Sequence, residues 1–313
     1  MADGIQWEQT ACPLCGSTDE EEFLRAPGAG DIEYRLAKCR QCAMVYTNPR
    51  PNVASIGHFY AADYAPYQPR KLHKNGGLRG LRNRLFGRGE RTLADRIPMP
   101  PDGRLLDYGC GSGRFAAQMR DRGWIVSGMD FSAHAVEAAR RNFGLTVIHG
   151  DLPHPEVPND SLDAITLRAV LEHVHDPIRL LAAAFQALKP GGWLFVSVPN
   201  LASWGFSKFG SSWFPLDLPR HLLHFTPDTV RMALTSSGFT VSAMKTRGHV
   251  KWMSSSIDRA KRVRSNWWNT VTRSRLVRSG LATWTEWRGQ ADDLCLLARK
   301  PALAALEPVR HAA

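Results

Sequence analysis

One short stretch constrains the fold more than any other. An apolar strand, Arg104 to Tyr108, runs directly into Gly109-Cys110-Gly111-Ser112-Gly113. Glycines at this spacing let the backbone turn tightly at a strand end and bring it close to a ligand. The next helix, Ser112 to Arg122, carries Phe115 and Met119 four apart. Strand and helix signals then alternate: a strand over Trp124–Met129, a helix over Ala133–Asn142, and strands over Leu145–His149 and Leu162–Leu167. A striped helix over Pro177–Leu188 closes at Lys189-Pro190-Gly191-Gly192, read as a stop signal, before a fifth strand over Trp193–Val198. A helix over Pro227–Ser237 and strands over Phe239–Met244 and Leu294–Ala298 complete the pattern. Such alternation predicts an α/β fold, a doubly wound and mostly parallel sheet covered on both faces.

The glycine spacing is not that of a dinucleotide fingerprint. The third glycine comes one residue early, and Asp107 precedes the first by two. Carboxylates recur at later strand ends: Asp130 in Gly-Met-Asp-Phe-Ser and Asp151 in Gly-Asp-Leu. Either acid alone could be a helix N-cap. Together with the turn they read as successive contacts to one ligand.

These residues resemble the D-x-G-x-G-x-G signature of class I S-adenosylmethionine-dependent methyltransferases. The resemblance covers roughly residues 100 to 248 plus the final strand. It implies a Rossmann-like sheet of seven strands with the last one antiparallel. It also implies S-adenosyl-L-methionine as cofactor, held by Asp107, Tyr108, Gly109, Gly111, Gly113, Asp130, Phe131, Asp151, Leu152 and Arg168. Asp130 would take the ribose hydroxyls, Phe131 would pack on adenine, and Asp151 would take the adenine amino group.

Six cysteines occur, four of them as Cys12-Pro-Leu-Cys15 and Cys39-Arg-Gln-Cys42. Two C-x-x-C pairs predict a closed structural Zn2+ site with Cys12, Cys15, Cys39 and Cys42 as ligands. The gap between the pairs leaves room for a hairpin. A module this small cannot hold itself together by apolar burial alone, so the ion is expected to supply folding energy. With the aromatics from Tyr46 to Tyr67, it is similar to the N-terminal part of bacterial glycan and small-molecule methyltransferases. Cys110 and Cys295 stand alone and read as packing residues.

Methyl transfer to a hydroxyl needs a base. Glu172-His173 follows the fourth strand, and Asp217-Leu-Pro-Arg-His-Leu-Leu-His224 follows the fifth. His173 and His221 are the candidate bases, and Arg220 is a candidate clamp for an anionic acceptor. His175 and His224 read as structural. Quinone-pathway O-methyltransferases carry a similar Leu-Glu-His run, in which a further upstream Glu helps bind a metal. That position is Ala169 here, which argues against a catalytic metal.

The net charge of +11 is concentrated. Residues 68–96 carry nine Lys/Arg against Glu90 and Asp95, and residues 250–290 carry nine against Asp258 and Glu286. Two basic windows on a near-neutral body suggest an anionic partner. In the second, Ile257, Ala260, Val263, Trp267, Val271, Val277, Leu281 and Trp284 recur at helical spacing. A basic amphipathic helix with tryptophan suits a membrane surface; the same stripe also suits a cover over the acceptor pocket.

The organisation expected is therefore a zinc module (1–55), an aromatic and basic connector (56–97), a methyltransferase core (98–248), a helical insertion (249–290), a final strand (291–300) and a tail (301–313). Expected partners are a small-molecule or glycan acceptor, anionic or lipid-linked among the options, and a peripheral membrane contact. The alternative, an RNA or nucleic-acid methyltransferase, lacks the Asn/Asp-Pro-Pro-Tyr/Phe motif and a Pro-Cys nucleophile. A non-enzymatic binding module is argued against by the intact glycine motif. The start of the chain lacks a secretory pattern, and no apolar run approaches the ~20 residues that span a bilayer. A cytoplasmic location is the expectation.

Overall fold

The computed structural model describes residues 4–60, 93–263 and 274–302. The first strands are β1 (Trp7–Glu8), β2 (Glu20–Pro27), β3 (Glu33–Cys39), β4 (Val45–Thr47) and β5 (Arg50–Pro51). The core follows with β6 (Arg104–Tyr108), α1 (Arg114–Arg120), β7 (Ile125–Asp130), α2 (Ala133–Phe143), β8 (Thr146–His149), β9 (Leu162–Arg168), α3 (Pro177–Ala187) and β10 (Leu188–Pro199). It continues with α4 (Trp204–Phe209), β11 (Leu223–His224), α5 (Pro227–Ser236), β12 (Thr240–Arg247), α6 (Val250–Val263), α7 (Arg275–Trp287) and β13 (Asp293–Arg299).

Seven strands form one sheet in the order β12-β13-β10-β9-β6-β7-β8. β10, β9, β6, β7 and β8 run parallel, and β13 lies antiparallel between β10 and β12. This is the Rossmann-like methyltransferase sheet expected, with its last strand reversed. Parallel strands buried on both faces explain the near-continuous apolar runs, such as Leu194, Phe195 and Val196. Local capping agrees with the topology. Ser132 accepts from the Ala135 amide at the start of α2, and Gly144 ends that helix in the left-handed region. Asp176 caps α3, with Pro177 in its first turn.

Lys189 to Gly192 follows the end of α3 at Ala187, as expected of a stop, and also shapes the next strand. These residues lie within β10, which pairs with β9 at Leu188 and resumes at Trp193, so they form a bulge. Gly191 has a φ of 81°, which lets the chain bulge without breaking the strand.

The N-terminal segment is stitched to the core. β2, β3 and β4 form a sheet whose fourth strand is β11, with Leu223 opposite Tyr46 and His224 opposite Val45. Met44, Tyr46, Leu222 and Phe225 are buried in the same apolar cluster as Ile165, Leu181 and Val196 of the core. The first basic window falls mostly on residues 61–92, outside the described residues, as do Trp267 and Val271 of the second stripe. The rest of that stripe is split. Ile257 is buried, whereas α7 turns Ala282 and Thr285 inward and leaves Trp284 half-exposed. Leu276 and Trp287 on α7 are 84% and 80% exposed, so this helix keeps an apolar edge in solvent.

Candidate active site

The carboxyl ends of β6, β7 and β8 converge on the glycine turn. Gly109 has a φ of 70°, and a Cβ there would meet Val170 Cγ2 at 2.4 Å. The Gly111 amide donates to Asp130 Oδ2 at 2.9 Å, and the Ser132 amide donates to Oδ1 at 3.0 Å. Two amides thus orient one carboxylate at the end of β7. Burial pushes the Asp130 carboxyl above its ordinary range, against those bonds. Beside it Phe131 is 57% exposed, an uncovered ring at the mouth of the sheet. Tyr108 donates its hydroxyl to Asp151, whose Oδ1 also accepts from the Leu152 amide at 2.7 Å.

Asp107 lies deeper. Thr166 donates to it at 2.6 Å, and burial pushes its carboxyl up to about 6. Arg168, at the end of β9, stacks its guanidinium 4.0 Å above the Phe115 ring. Gly113 serves packing: a Cβ there would fall 2.7 Å from Ala139 and Leu145, where α2 crosses the loop. The structure therefore gathers Tyr108, Gly109, Gly111, Asp130, Phe131, Asp151 and Leu152 at one edge, with Arg168 one strand over.

The two candidate histidines also meet. The His173 and His221 rings stand edge to face, 4.5 Å between centroids. His173 Nδ1 lies 3.0 Å from the Arg220 carbonyl, and His221 Nδ1 lies 2.7 Å from the Pro215 carbonyl. A carbonyl only accepts, so each Nδ1 carries its proton and each Nε2 keeps a lone pair. Burial holds His173 down at about 3 and His221 down at about 4. Glu172 is fully buried beneath them, and neither of its oxygens has a hydrogen-bond partner. Burial drives its carboxyl well above the usual range. Glu172, His173 and His221 each bring one ligand-type atom within 4.8 Å of the others. Two imidazoles and a carboxylate are donors that a divalent cation accepts. The upstream acid is absent at Ala169, and His221 stands as the third group instead.

Arg220 is committed elsewhere. Its Nε and Nη2 hold both Asp217 oxygens, at 2.9 and 2.5 Å, and Nη1 reaches the Phe59 carbonyl at 3.3 Å. The fork expected to clamp an acceptor braces its own loop. His175 donates to the Pro51 carbonyl and His224 contacts Thr47, both as structural residues.

The four paired cysteines converge as well. Cys12 and Cys42 Sγ are 3.5 Å apart, as are Cys15 and Cys39, and all four sulfurs lie within 4.8 Å. Sulfurs bound tetrahedrally at 2.3 Å from zinc stand about 3.8 Å apart, so the cluster fits one ion. Disulfides would need about 2 Å. The two knuckles repeat one backbone pattern. Cys12 N bonds Ser17 O and Gly16 N bonds Cys12 O, while Cys39 N bonds Met44 O and Ala43 N bonds Cys39 O. Gly16 and Ala43 occupy the same left-handed position, with φ of 75° and 61°. The expected hairpin between the pairs is β2–β3.

Residues 76–243, more than half of the chain, match the family model described as a methyltransferase domain. The chain belongs to that family. It carries an S-adenosylmethionine-dependent methyltransferase domain of class I. The ubiquinone biosynthesis O-methyltransferase of Xanthomonas campestris pv. campestris (strain B100) is 31% identical over 141 residues, covering 42% of this chain and 59% of that enzyme. The malonyl-(acyl-carrier protein) O-methyltransferase of Serratia marcescens is 30% identical over 142 residues, covering 45% and 54%. The chain thus spans less than two thirds of the length of these relatives. Among solved structures, the (4+2)-cyclase SpnF superposes with a TM-score of 0.51 at 20% identity, covering 81% of this chain and 97% of that one. That likeness concerns the fold.

One residue at the mouth of the methyltransferase domain was not foreseen. Tyr60 sets its ring edge-on to Phe131, 5.6 Å between centroids, and places its hydroxyl 2.9 Å from His173 Nδ1. It joins the N-terminal segment to the glycine-turn edge and to the histidine pair. The only sequence signal was its place in an aromatic run.

Proposed function

We propose that the chain transfers a methyl group from S-adenosyl-L-methionine to an oxygen of a small-molecule acceptor. One observation carries this reading: Asp130 and Asp151 stand at successive strand ends beside the glycine turn, with Phe131 uncovered between them. Asp130 holds the ribose hydroxyls, Phe131 covers the adenine, and Asp151 with Leu152 takes its amino edge. The bound cofactor supplies an electrophilic methyl on a sulfonium. The chain aligns the acceptor oxygen with that carbon and takes the hydroxyl proton on a histidine at the mouth of the sheet. The O-methyltransferase names of two relatives support oxygen as the target. Zn2+ on the four cysteines has a structural role, since a closed set of thiolates leaves no open position.

Methyl-labelled cofactor offered with phenols, other alcohols and sugars tests the reading. Label is expected in one of these small molecules; label only in RNA, or none, overturns it. A glycan or lipid-linked acceptor belongs to the same reading. The exposed Leu276 and Trp287 of α7, near Arg275 and Arg288, suit an anionic lipid surface. Co-sedimentation with anionic vesicles at low salt, lost as salt rises, is expected. Equal binding to neutral vesicles, or none to either, removes the membrane contact.

A further inference from the structure

Asp293, the first residue of β13, pairs with the last residue of both neighbours, Pro199 of β10 and Arg247 of β12. It therefore lies at the carboxyl mouth of the sheet, on the far side of β10 from Arg168. Its charge acts on Arg168 and on Glu172, so it shares the field of the proposed acceptor pocket.

The chain leaves β12 through Gly248 and His249 into α6. A Cβ on Gly248 would meet the Ala282 carbonyl at 2.5 Å, so α7 presses directly on this turn and fixes where His249 emerges. His249 Nε2 lies 3.0 Å from Asp293 Oδ2, and Trp252 packs its ring against the imidazole, 4.2 Å between centroids. The Asp293 side chain is 9% exposed and that of His249 is 26% exposed, so a covered carboxylate holds a ring that solvent still reaches. An ionised carboxylate only accepts. Nε2 therefore carries the proton, and Nδ1 keeps its lone pair.

We propose that His249, oriented by Asp293, is the general base that takes the acceptor proton. This rests on the O-methyltransferase reading above. As the acceptor oxygen bonds to the methyl carbon, the carbon–sulfur bond breaks and its electron pair neutralises the sulfonium. The hydroxyl proton passes to Nδ1 of His249. The imidazolium that forms stands against Asp293 and releases its proton to solvent. A buried carboxylate that orients an imidazole and offsets its developing charge is the logic of acid–base dyads on unrelated folds. His173 and His221 have no such partner at hydrogen-bond distance: each Nδ1 meets a neutral carbonyl, and Asp217 stands 3.9 Å from His221. Their burial also opposes uptake of a proton near neutral pH.

The test takes whichever small molecule accepts label from the wild-type protein. His249→Ala is expected to lower kcat roughly 10²- to 10⁴-fold, with cofactor affinity unchanged by calorimetry. Imidazole added to the buffer should restore part of the rate, which a merely structural loss would not allow. Asp293→Asn and His249→Gln should also lower kcat while binding cofactor. Nitrogen NMR of the whole protein needs no acceptor and should find His249 with its proton on Nε2. Turnover of His249→Ala within about threefold of wild type, a loss that imidazole does not rescue, or a proton on Nδ1 overturns the inference. Failure of the underlying reading looks different, because the wild-type protein itself then labels no small molecule.

Discussion

Replacing Cys39 with serine should release zinc and lower the melting temperature on the order of 10 °C, because a structural ion contributes folding energy outright. Protein purified without chelator should carry about one zinc per chain, as a closed four-thiolate site requires. The size of the effect follows from where the cluster sits. Cys12 and Cys39 are buried in the same apolar cluster as Met44, Tyr46 and the core strands. Opening the knuckles therefore unpins β3 and β4, and with them β11 and the loop that carries His221. Three sulfurs cannot close a tetrahedral site, and the three remaining thiols would stay crowded without a cation between them. Cys15→Ser should behave like Cys39→Ser, whereas Cys295→Ser, on β13, should leave the zinc content unchanged. Metal analysis and calorimetry decide this. Protein without zinc, or Cys39→Ser melting with the wild type, removes the site.

The legible parts of the molecule are those encoded by short spacing. The glycine turn, the acids at the ends of β7 and β8 and the two cysteine knuckles each occupy a few consecutive residues whose turn chemistry is local. The strand and helix periods around them carry the sheet order, because βα alternation admits few topologies. What was hidden depends on pairs distant in sequence. β11 is two residues long and has no alternation to announce it, yet it completes the N-terminal sheet. Tyr60 reaches His173 across 113 positions, and His249 reaches Asp293 across 44. Arg220 illustrates the opposite error. Its residue type suggested an anion clamp, but Asp217 three positions earlier already fills the fork. Lys189 to Gly192 ends α3 at Ala187 as its composition implies, and it also forms a bulge in β10, because Leu188 and Trp193 on either side both find partners on β9.

Asp130→Ala should weaken S-adenosylmethionine binding by about 1.5–3 kcal/mol, roughly 10- to 150-fold, the usual worth of hydrogen bonds to a charged group. The carboxylate is already aimed by the Gly111 and Ser132 amides, so no ordering cost is left for the moment of binding. The same geometry predicts a small effect on folding. Removing a carboxylate that burial disfavours is a gain, while the Gly111 and Ser132 amides lose their acceptor, and the two changes oppose each other. Asp130→Asn keeps the side-chain shape and one acceptor oxygen, so it should fall between wild type and alanine. Calorimetric titration alongside a thermal melt separates the outcomes. Weak binding with an unchanged melt places Asp130 on the cofactor. Weak binding with a collapsed melt would make the residue a brace for the turn, and unchanged affinity would take it out of the site altogether.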